Sequence, residues 1–444
     1  GYAGPELARR IDDVVPKVMI IASCSFQGQT ATPSTPALNA ALAQATHRPQ
    51  ACIIVQRNAC PVPLVSVRDH DFHALERSPP VAPLVLRSQD PLYILHTSGT
   101  TGTSKGIVRD NGGHAVALAL SMALIYACKA GDTFFTTSDL GWVVGHSYGV
   151  YAPLISGCTS VIVEGAVTSA AIRTLCREHA VTCLFTTPTQ MRLMRQESRN
   201  LSGSTLPALA RIFVAGEYAD PTLLDWARAY FRKPVVNHWW QTETGWSITA
   251  HFFGLPEPEP ITLLNDIGRP APGFRPTIIP AMPDEPCGEI VLSLPLPPGC
   301  LAGVWKNKET HVPEIYLDDT GRFYRTFDEG MVEKSGAVHM LGRSDDVIKV
   351  AGRRISGVQI EKIIATHPAV YACAVVAIPD ELRGQRPLAY IVTDRDLTPP
   401  SAEDILRQVH QALGRWVGIK EVRFVQQIPT TKSGKITRKY LYIS

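Results

Sequence analysis

Short apolar runs recur along the chain: "KVMIIAS" (17–23), "ACIIVQ" (51–56), "SVIVEG" (160–165) and "RIFVAGE" (211–217). They alternate with segments of helical period such as 167–179 and 221–231. Strands alternating with helices restrict the fold to an α/β architecture that contains parallel sheet. The opening "ELARRIDDVVPKVMIIAS" reads as a helix feeding a buried strand, and a chain that opens on Gly1 rather than Met is expected to begin inside a domain.

From about residue 265 the texture changes to "DIGRPAPGFRPTIIPAMPDEPCGEIVLSLPLPPG", whose prolines and glycines break short alternating strands and predict a small β subdomain. After "GRSDD" (342–346) comes a compact tail: "VIKVAGRRI", a helix over 357–366, "VYACAVVAIPD", "RPLAYIVT", a helix over 401–414 and the strand "EVRFVQQIP". With 444 residues, 45% of them hydrophobic, the chain can build more than one core, because single cores stop growing near roughly 250–300 residues. The predicted division is a large domain over 1–344, α/β with its β subdomain, and a small α+β domain over 345–444.

A formal charge of +3, with Lys and Arg scattered rather than striped, points away from nucleic acid and membrane surfaces and towards small-molecule partners. No window approaches the roughly 20 apolar residues of a membrane span, and no basic segment leads into an apolar one at the start. The ten cysteines form neither C-x-x-C pairs nor His/Cys ligand spacings, which fits free thiols in a reducing compartment. The cytoplasm is expected, with the mitochondrial matrix as the alternative.

Four stretches carry chemistry. In "TSGTTGTSKG" (97–106), Gly99, Gly102 and Gly106 permit backbone N–H groups to converge on an anion, and Thr97, Ser98, Thr100, Thr101 and Lys105 would complete a phosphate cradle. The spacing does not fit G-x-x-x-x-G-K-[ST], which removes the P-loop reading; an ordinary surface loop remains the alternative. In "VNHWWQTETGWS" (236–247), Thr242 and Glu243 follow two indoles that could be plain core, or could flank a metal ion facing bound phosphate. In "YRTFDEGMVEKSGAVHMLGRSDD" (324–346), Asp328 and Arg343 lie near the ends of a predicted hairpin, as surface charges or as a ribose site. In "PTTKSGKITRK" (429–439), Lys435 sits on a turn that alone reads as a solvated basic tail.

Taken in this order, the stretches resemble the acyl-adenylate-forming (AMP-binding) superfamily, and among its members the short-chain acyl-CoA synthetases of the acetyl- and propionyl-CoA type. The likeness runs over essentially all 444 residues. It implies two half-reactions: a carboxylate attacks the α-phosphorus of ATP to give an acyl-adenylate and pyrophosphate, and the thiol of CoA then displaces AMP. It further implies ATP, Mg²⁺ and coenzyme A as the small molecules bound, and a mobile C-terminal domain.

By this resemblance Thr97, Ser98, Gly99, Thr100, Thr101, Gly102 and Lys105 would hold the ATP phosphates with Arg354 close by. Thr242 would touch the α-phosphate and Glu243 the Mg²⁺. Gly216, Glu217, Tyr218, Asn237, His238, Trp239 and Gln241 would lie around the adenine and ribose, and Asp328 with Arg343 would take the ribose. Lys435 would bridge the attacking carboxylate and the α-phosphoryl oxygens; acylation there would remove the charge the first step needs. Asp345 would be the hinge, and Gly352 would face CoA.

The acyl pocket would comprise Val143, Val144, Ala215 and Trp240, with Trp240 closing the floor. Acetyl-type relatives usually carry valine where this chain has Ala215, which opens room for about one more carbon, worth roughly 1–3 kcal/mol of discrimination. Propionate is therefore expected over acetate, with an acetate-preferring enzyme as the alternative. The chain departs from the family pattern at Phe327, in place of a glycine, at Asn237, at Arg353, and at His410 and Arg415, where CoA contacts are expected. The resemblance also implies a sizeable segment before Gly1, so an exposed apolar edge is predicted, and a truncated, nucleotide-binding-only remnant is a further reading. A third reading is an adenylating enzyme that serves a carrier protein.

Overall fold

The computed structural model describes residues 3–441 except 28–29, 66, 98–104, 166, 199–205, 218, 220, 257–266, 281–286, 307–311, 352, 395–396, 431–435, 437 and 439–440; of 27, 345 and 354 it describes the backbone alone. The chain forms two compact units, one of Gly1–Val85 with Val163–Thr168 and one of Leu86–Ile162 with Ser169–Ser444. Among the described residues no helix is long and apolar enough to cross a membrane. Among the described residues no disulfide joins any of the ten cysteines.

In the first unit, Pro5 and Glu6 in the first turn start the helix Gly4–Val14, which buries Ala8 and Ile11 and ends where Val15 turns left-handed. Strands Val18–Ala22, Ala51–Val55 and Asp69–Asp71 make a parallel sheet with Ala51–Val55 in the middle. Cys52 and Ile54 pack there against Leu38 and Ala41 of the helix Thr35–Gln44. The run 17–23, expected as a buried strand, is an edge among the described residues: it pairs there with Ala51–Val55 alone, and Val18 and Ile20 are 44% and 66% exposed. Composition marks a strand but does not say which neighbour it lacks.

The second unit is built on a parallel sheet of five strands in the order Val235–Asn237, Arg211–Val214, Cys183–Thr186, Thr133–Thr136 and Thr159–Val161. Every residue of Thr133–Thr136 and Cys183–Thr186 is buried, as expected of strands sealed on both faces. The helices Ser169–Glu178, Pro188–Glu197 and Pro221–Phe231 provide the crossovers. Tyr126, Phe134, Tyr148 and Phe213 fill the core edge to face, Tyr126 lying 4.6 Å from Phe213 between ring centroids. Burying each such ring contributes about 2–3 kcal/mol.

The Pro/Gly-rich region forms an antiparallel sheet of Pro276–Pro280, Gly288–Ser293, Phe323–Val332 and Val338–Arg343. A further antiparallel sheet joins Pro91–His96, Gly106–Asp110 and Gly303–Val304, the first two paired as neighbours in a hairpin. That hairpin closes through the Thr97 N–H and the Lys105 carbonyl at 2.9 Å. Residues 347–424 add a sheet of Val347–Val350, Arg353–Ser356, Val370–Asp380, Gly384–Thr393 and Glu421–Phe424. The helices Gly357–Ala365 and Ala402–Leu413 are started by the side chains of Ser356 and Ser401. Ile348, Ile355, Ile360, Ile364, Ile391 and Ile405 give this part a core of its own.

Candidate functional site

Parallel sheets expose their ligand-binding crevices beyond the carboxyl ends of the strands. Here Arg211–Val214 runs on into Gly216 and Glu217, and Val235–Asn237 runs on into His238–Glu243. These residues line one cavity of about 1110 Å³. At Gly216 the backbone takes φ +92°, which turns the chain away from the strand at no steric cost. Thr97 and Lys105 reach the same cavity from the hairpin, Asp328 and Arg343 from the antiparallel sheet, and Val143, Val144 and Trp240 supply apolar wall.

The segment 239–245 is held from below. Gln241 N–H donates to Thr244 Oγ1 at 3.1 Å and Gly245 N–H to the Gln241 carbonyl at 3.1 Å, closing a tight turn. Leu301 N–H and the Arg109 guanidinium both donate to the Glu243 carbonyl, at 2.8 and 3.2 Å. The Glu243 carboxylate accepts the Tyr316 hydroxyl proton through Oε1 at 2.8 Å, and the Lys105 ammonium sits 5.3 Å from the Tyr316 ring centroid. Burial, with the Glu243 charge beside it, pushes the Tyr316 hydroxyl far above the ordinary tyrosine range, so it remains a donor.

Asp328 is more constrained than a carboxylate waiting for hydroxyls. Trp239 Nε1 and Gln241 Nε2 donate to its Oδ2 at 3.0 and 2.7 Å, and Arg343 Nη1 donates to Oδ1 at 3.3 Å. Asp328 and Arg343 face each other across the two strands, as the predicted hairpin requires. Just before Asp328 the pairing slips: Ile290 opposes Asp328 while Val291 opposes Arg325, which leaves Thr326 and Phe327 as a bulge. Phe327 takes φ +57°, the left-handed region that a glycine would occupy without strain. Its ring lines the cavity, with the guanidinium carbons of Arg325 and Arg343 at 5.0 and 6.0 Å from its centroid.

Asn237, Trp239 and Gln241 line the cavity as expected. His238 lines it too, but both ring nitrogens are used within the protein, Nδ1 facing the Val214 carbonyl and Nε2 the Tyr126 hydroxyl, each at 2.9 Å. Burial pushes its pKa down to about 4, so the ring is neutral. Trp240 packs edge-on to Tyr148 at 5.4 Å. Ala215 is buried in the core cluster that contains Trp240 and is not itself among the lining residues. Asp345 lies in the short turn Ser344–Asp346, and Arg354 sits on its strand opposite Lys349. Ser98, Gly99, Thr100, Thr101, Gly102, Tyr218, Gly352 and Lys435, and the side chain of Arg354, lie outside the described residues.

Sequence reasoning missed three groups. Tyr316 gave no motif signal, and Arg109, in "GIVRD", reads like any charge at the end of a strand. Arg438, three residues past Lys435, donates to Asp346 at 3.0 Å, to Glu361 at 2.7 and 3.0 Å and to the Val375 carbonyl at 3.3 Å. The repeated Lys/Arg pattern of "GKITRK" gives no sign that Arg438 is paired with two carboxylates.

Among the described residues no cluster of three or more His, Cys, Asp or Glu side chains could hold a metal ion on its own. Glu243 alone does fit a Mg²⁺ that a substrate polyphosphate brings with it, since that ion commonly takes one or two protein carboxylates and fills its other positions with phosphate and water.

Two family models match the chain: AMP-binding enzyme over residues 1–297 and AMP-binding enzyme C-terminal domain over 359–435. The mitochondrial acyl-CoA synthetase short-chain family member 3 of Rattus norvegicus is 40% identical over 99% of this chain and 67% of its own length. The propionate–CoA ligase of Escherichia coli K12 is 36% identical over 99% of this chain and 73% of its own. An anthranilate CoA ligase solved with anthranoyl-AMP superposes with a TM-score of 0.83 at 20% identity, covering 100% of this chain and 80% of that one. A benzoate CoA ligase from Burkholderia xenovorans LB400 superposes with 0.80 at 21%, covering 99% and 82%. At such identities these two structures speak to the fold.

Proposed function

This chain belongs to the AMP-binding enzyme family, and from that premise we propose that it joins a short-chain carboxylic acid, propionate by preference, to coenzyme A at the expense of ATP, releasing AMP and pyrophosphate. The observation that carries the reading is that residues expected around a nucleotide and residues expected around a small acyl group line one cavity.

The first step brings a carboxylate against a polyanion, so the site must present positive charge and oriented donors where charge accumulates. Lys105, Thr97 and Thr242 line the cavity, where Lys105 and Thr97 would face the phosphates and the Thr242 hydroxyl the α-phosphate. Glu243 is the residue that would hold a Mg²⁺, and that ion, when bound, would supply positive charge to the phosphates. Lys435 steadies the α-phosphoryl oxygens while one carboxylate oxygen forms the new bond to phosphorus and the bond to the bridging oxygen of pyrophosphate breaks. Val143, Val144 and Trp240 keep water from the mixed anhydride. In the second step the CoA thiolate adds to the acyl carbon and AMP leaves with the shared oxygen. Residues 345–444 act as the lid, turning about Asp345 between the two steps.

The preference for propionate is read from Ala215, which is buried in the core cluster that also contains Trp240 and would leave more room for the acyl chain than a valine. The test is acid-dependent pyrophosphate release with C2, C3 and C4 acids, on the wild type and on Ala215→Val. Propionate should lead in the wild type, and the added methyls should move the propionate-to-acetate ratio of kcat/KM towards acetate by roughly 10- to 200-fold. No acid-dependent release by a folded chain would refute the ligase reading. An unmoved ratio would refute the role of Ala215 alone.

A further inference from the structure

The strand Gly106–Asp110 carries a feature that none of the assigned roles uses. Arg109 is completely buried, and among the described residues it forms no ion pair. Its guanidinium instead donates to three carbonyls: Thr242 through Nη2 at 2.5 Å, and Gly299 and Glu243 through Nη1 at 2.6 and 3.2 Å. Nε has no partner. A buried charge without a counterion is costly, and three neutral acceptors return only part of the lost hydration.

The surroundings are shaped for this side chain. A Cβ on Gly245 would lie 2.6 Å from the Arg109 guanidinium carbon and 2.5 Å from the Gly299 carbonyl oxygen, and Gly245 takes φ +76°. Only glycine fits beside the guanidinium. The carbonyls of Thr242 and Glu243 are drawn down onto Arg109, while both residues line the cavity. Four residues before Arg109 on the same run of chain stands Lys105, at the end of the phosphate loop. One strand thus ties the loop to the Thr242–Glu243 turn.

We infer that Arg109 is a positioning residue for nucleotide binding: its guanidinium anchors the backbone of Thr242 and Glu243 so that their side chains meet the phosphates and their bound Mg²⁺, and its uncompensated charge lies beneath the polyanion. The inference rests on the nucleotide reading of the cavity. Arginine is needed because a planar fork reaches separated carbonyls at once, whereas a lysine ammonium, though charged, is a single point.

The test uses the full chain with Mg·ATP as the probe, measuring binding by titration calorimetry and KM for Mg·ATP in pyrophosphate exchange. Arg109→Lys is set beside Leu118→Ala, a truncation of a fully buried core residue that does not line the cavity, which lowers the melting temperature. Expected is at least a tenfold weaker Kd and a parallel rise in KM in Arg109→Lys, with wild-type Kd in Leu118→Ala. Wild-type Kd and KM in Arg109→Lys overturn the inference. Absence of Mg·ATP binding in the wild type overturns the nucleotide reading and the inference with it. Should Arg109→Lys not fold, hydrogen exchange of the wild type decides: the amides of 243–245 should be protected before ligand is added, and exchange there at exposed-loop rates overturns the proposal.

Discussion

Removing the Glu361 carboxylate should loosen the C-terminal sheet before anything else in the molecule. Glu361 lies on the helix Gly357–Ala365, with a side chain 11% exposed, and accepts from Arg438 Nη2 at 2.7 and 3.0 Å and from the Val375 amide at 2.7 Å. In Glu361→Ala, Arg438 keeps Asp346 and the Val375 carbonyl, so the loss falls below the 3–5 kcal/mol of a fully buried pair, at about 2–3 kcal/mol. The buried Val375 N–H loses its acceptor and adds about 1 kcal/mol. The sum, about 3–4 kcal/mol, corresponds to opening that is roughly 10²- to 10³-fold more frequent. Hydrogen exchange read by mass spectrometry on the full chain should show that acceleration in peptides covering 357–378 and 436–441, with Thr133–Thr136 unchanged. Glu361→Gln, which keeps an acceptor for Val375, should fall between. Wild-type exchange over 370–378 in Glu361→Ala would refute the reasoning, because an ion pair that can vanish without effect holds nothing.

Two further outcomes follow from the interior. Burial pushes His238 down to about 4 and His114 to about 3, whereas in the unfolded chain both titrate near 6.5. Stability is therefore full above pH 6.5 and falls as the unfolded state takes up protons, by about 1.4 kcal/mol per pH unit for each ring, until pH approaches the folded values. His238→Asn should make the urea midpoint less sensitive to pH between 7 and 4.5, and an unchanged slope would refute the assignment. Gly245→Ala, forced against Arg109 and the Gly299 carbonyl, should lose Mg·ATP binding and melt several degrees lower; a wild-type melt would mean the turn is looser than its geometry.

The alternation of strands and helices was legible because it is local: the helices expected over 221–231 and 357–366 occupy Pro221–Phe231 and Gly357–Ala365. The motifs reach part of the cavity lining, Asn237–Glu243 and Asp328 with Arg343 among it, because each motif stays within a few residues. What stayed hidden depends on partners far along the chain. The carbonyl that Arg109 grips at Glu243 lies 134 residues on, and nothing in "GIVRD" says that its arginine faces inward. Nor does "KVMIIAS" reveal that its strand pairs, among the described residues, with Ala51–Val55 alone. Ala215 could be read as part of an acyl pocket but not as sitting behind the wall.

The bulge at Phe327 sets two selection pressures against each other. A left-handed backbone costs a residue with a side chain about 1–2 kcal/mol, so glycine would be the more stable choice at this position. Yet the ring stands in the cavity wall between two guanidiniums. A search of variants for heat tolerance alone would be drawn to Phe327→Gly and would take apart the binding surface as it succeeded. Selection on ligand would restore the phenylalanine and lower the melting temperature again.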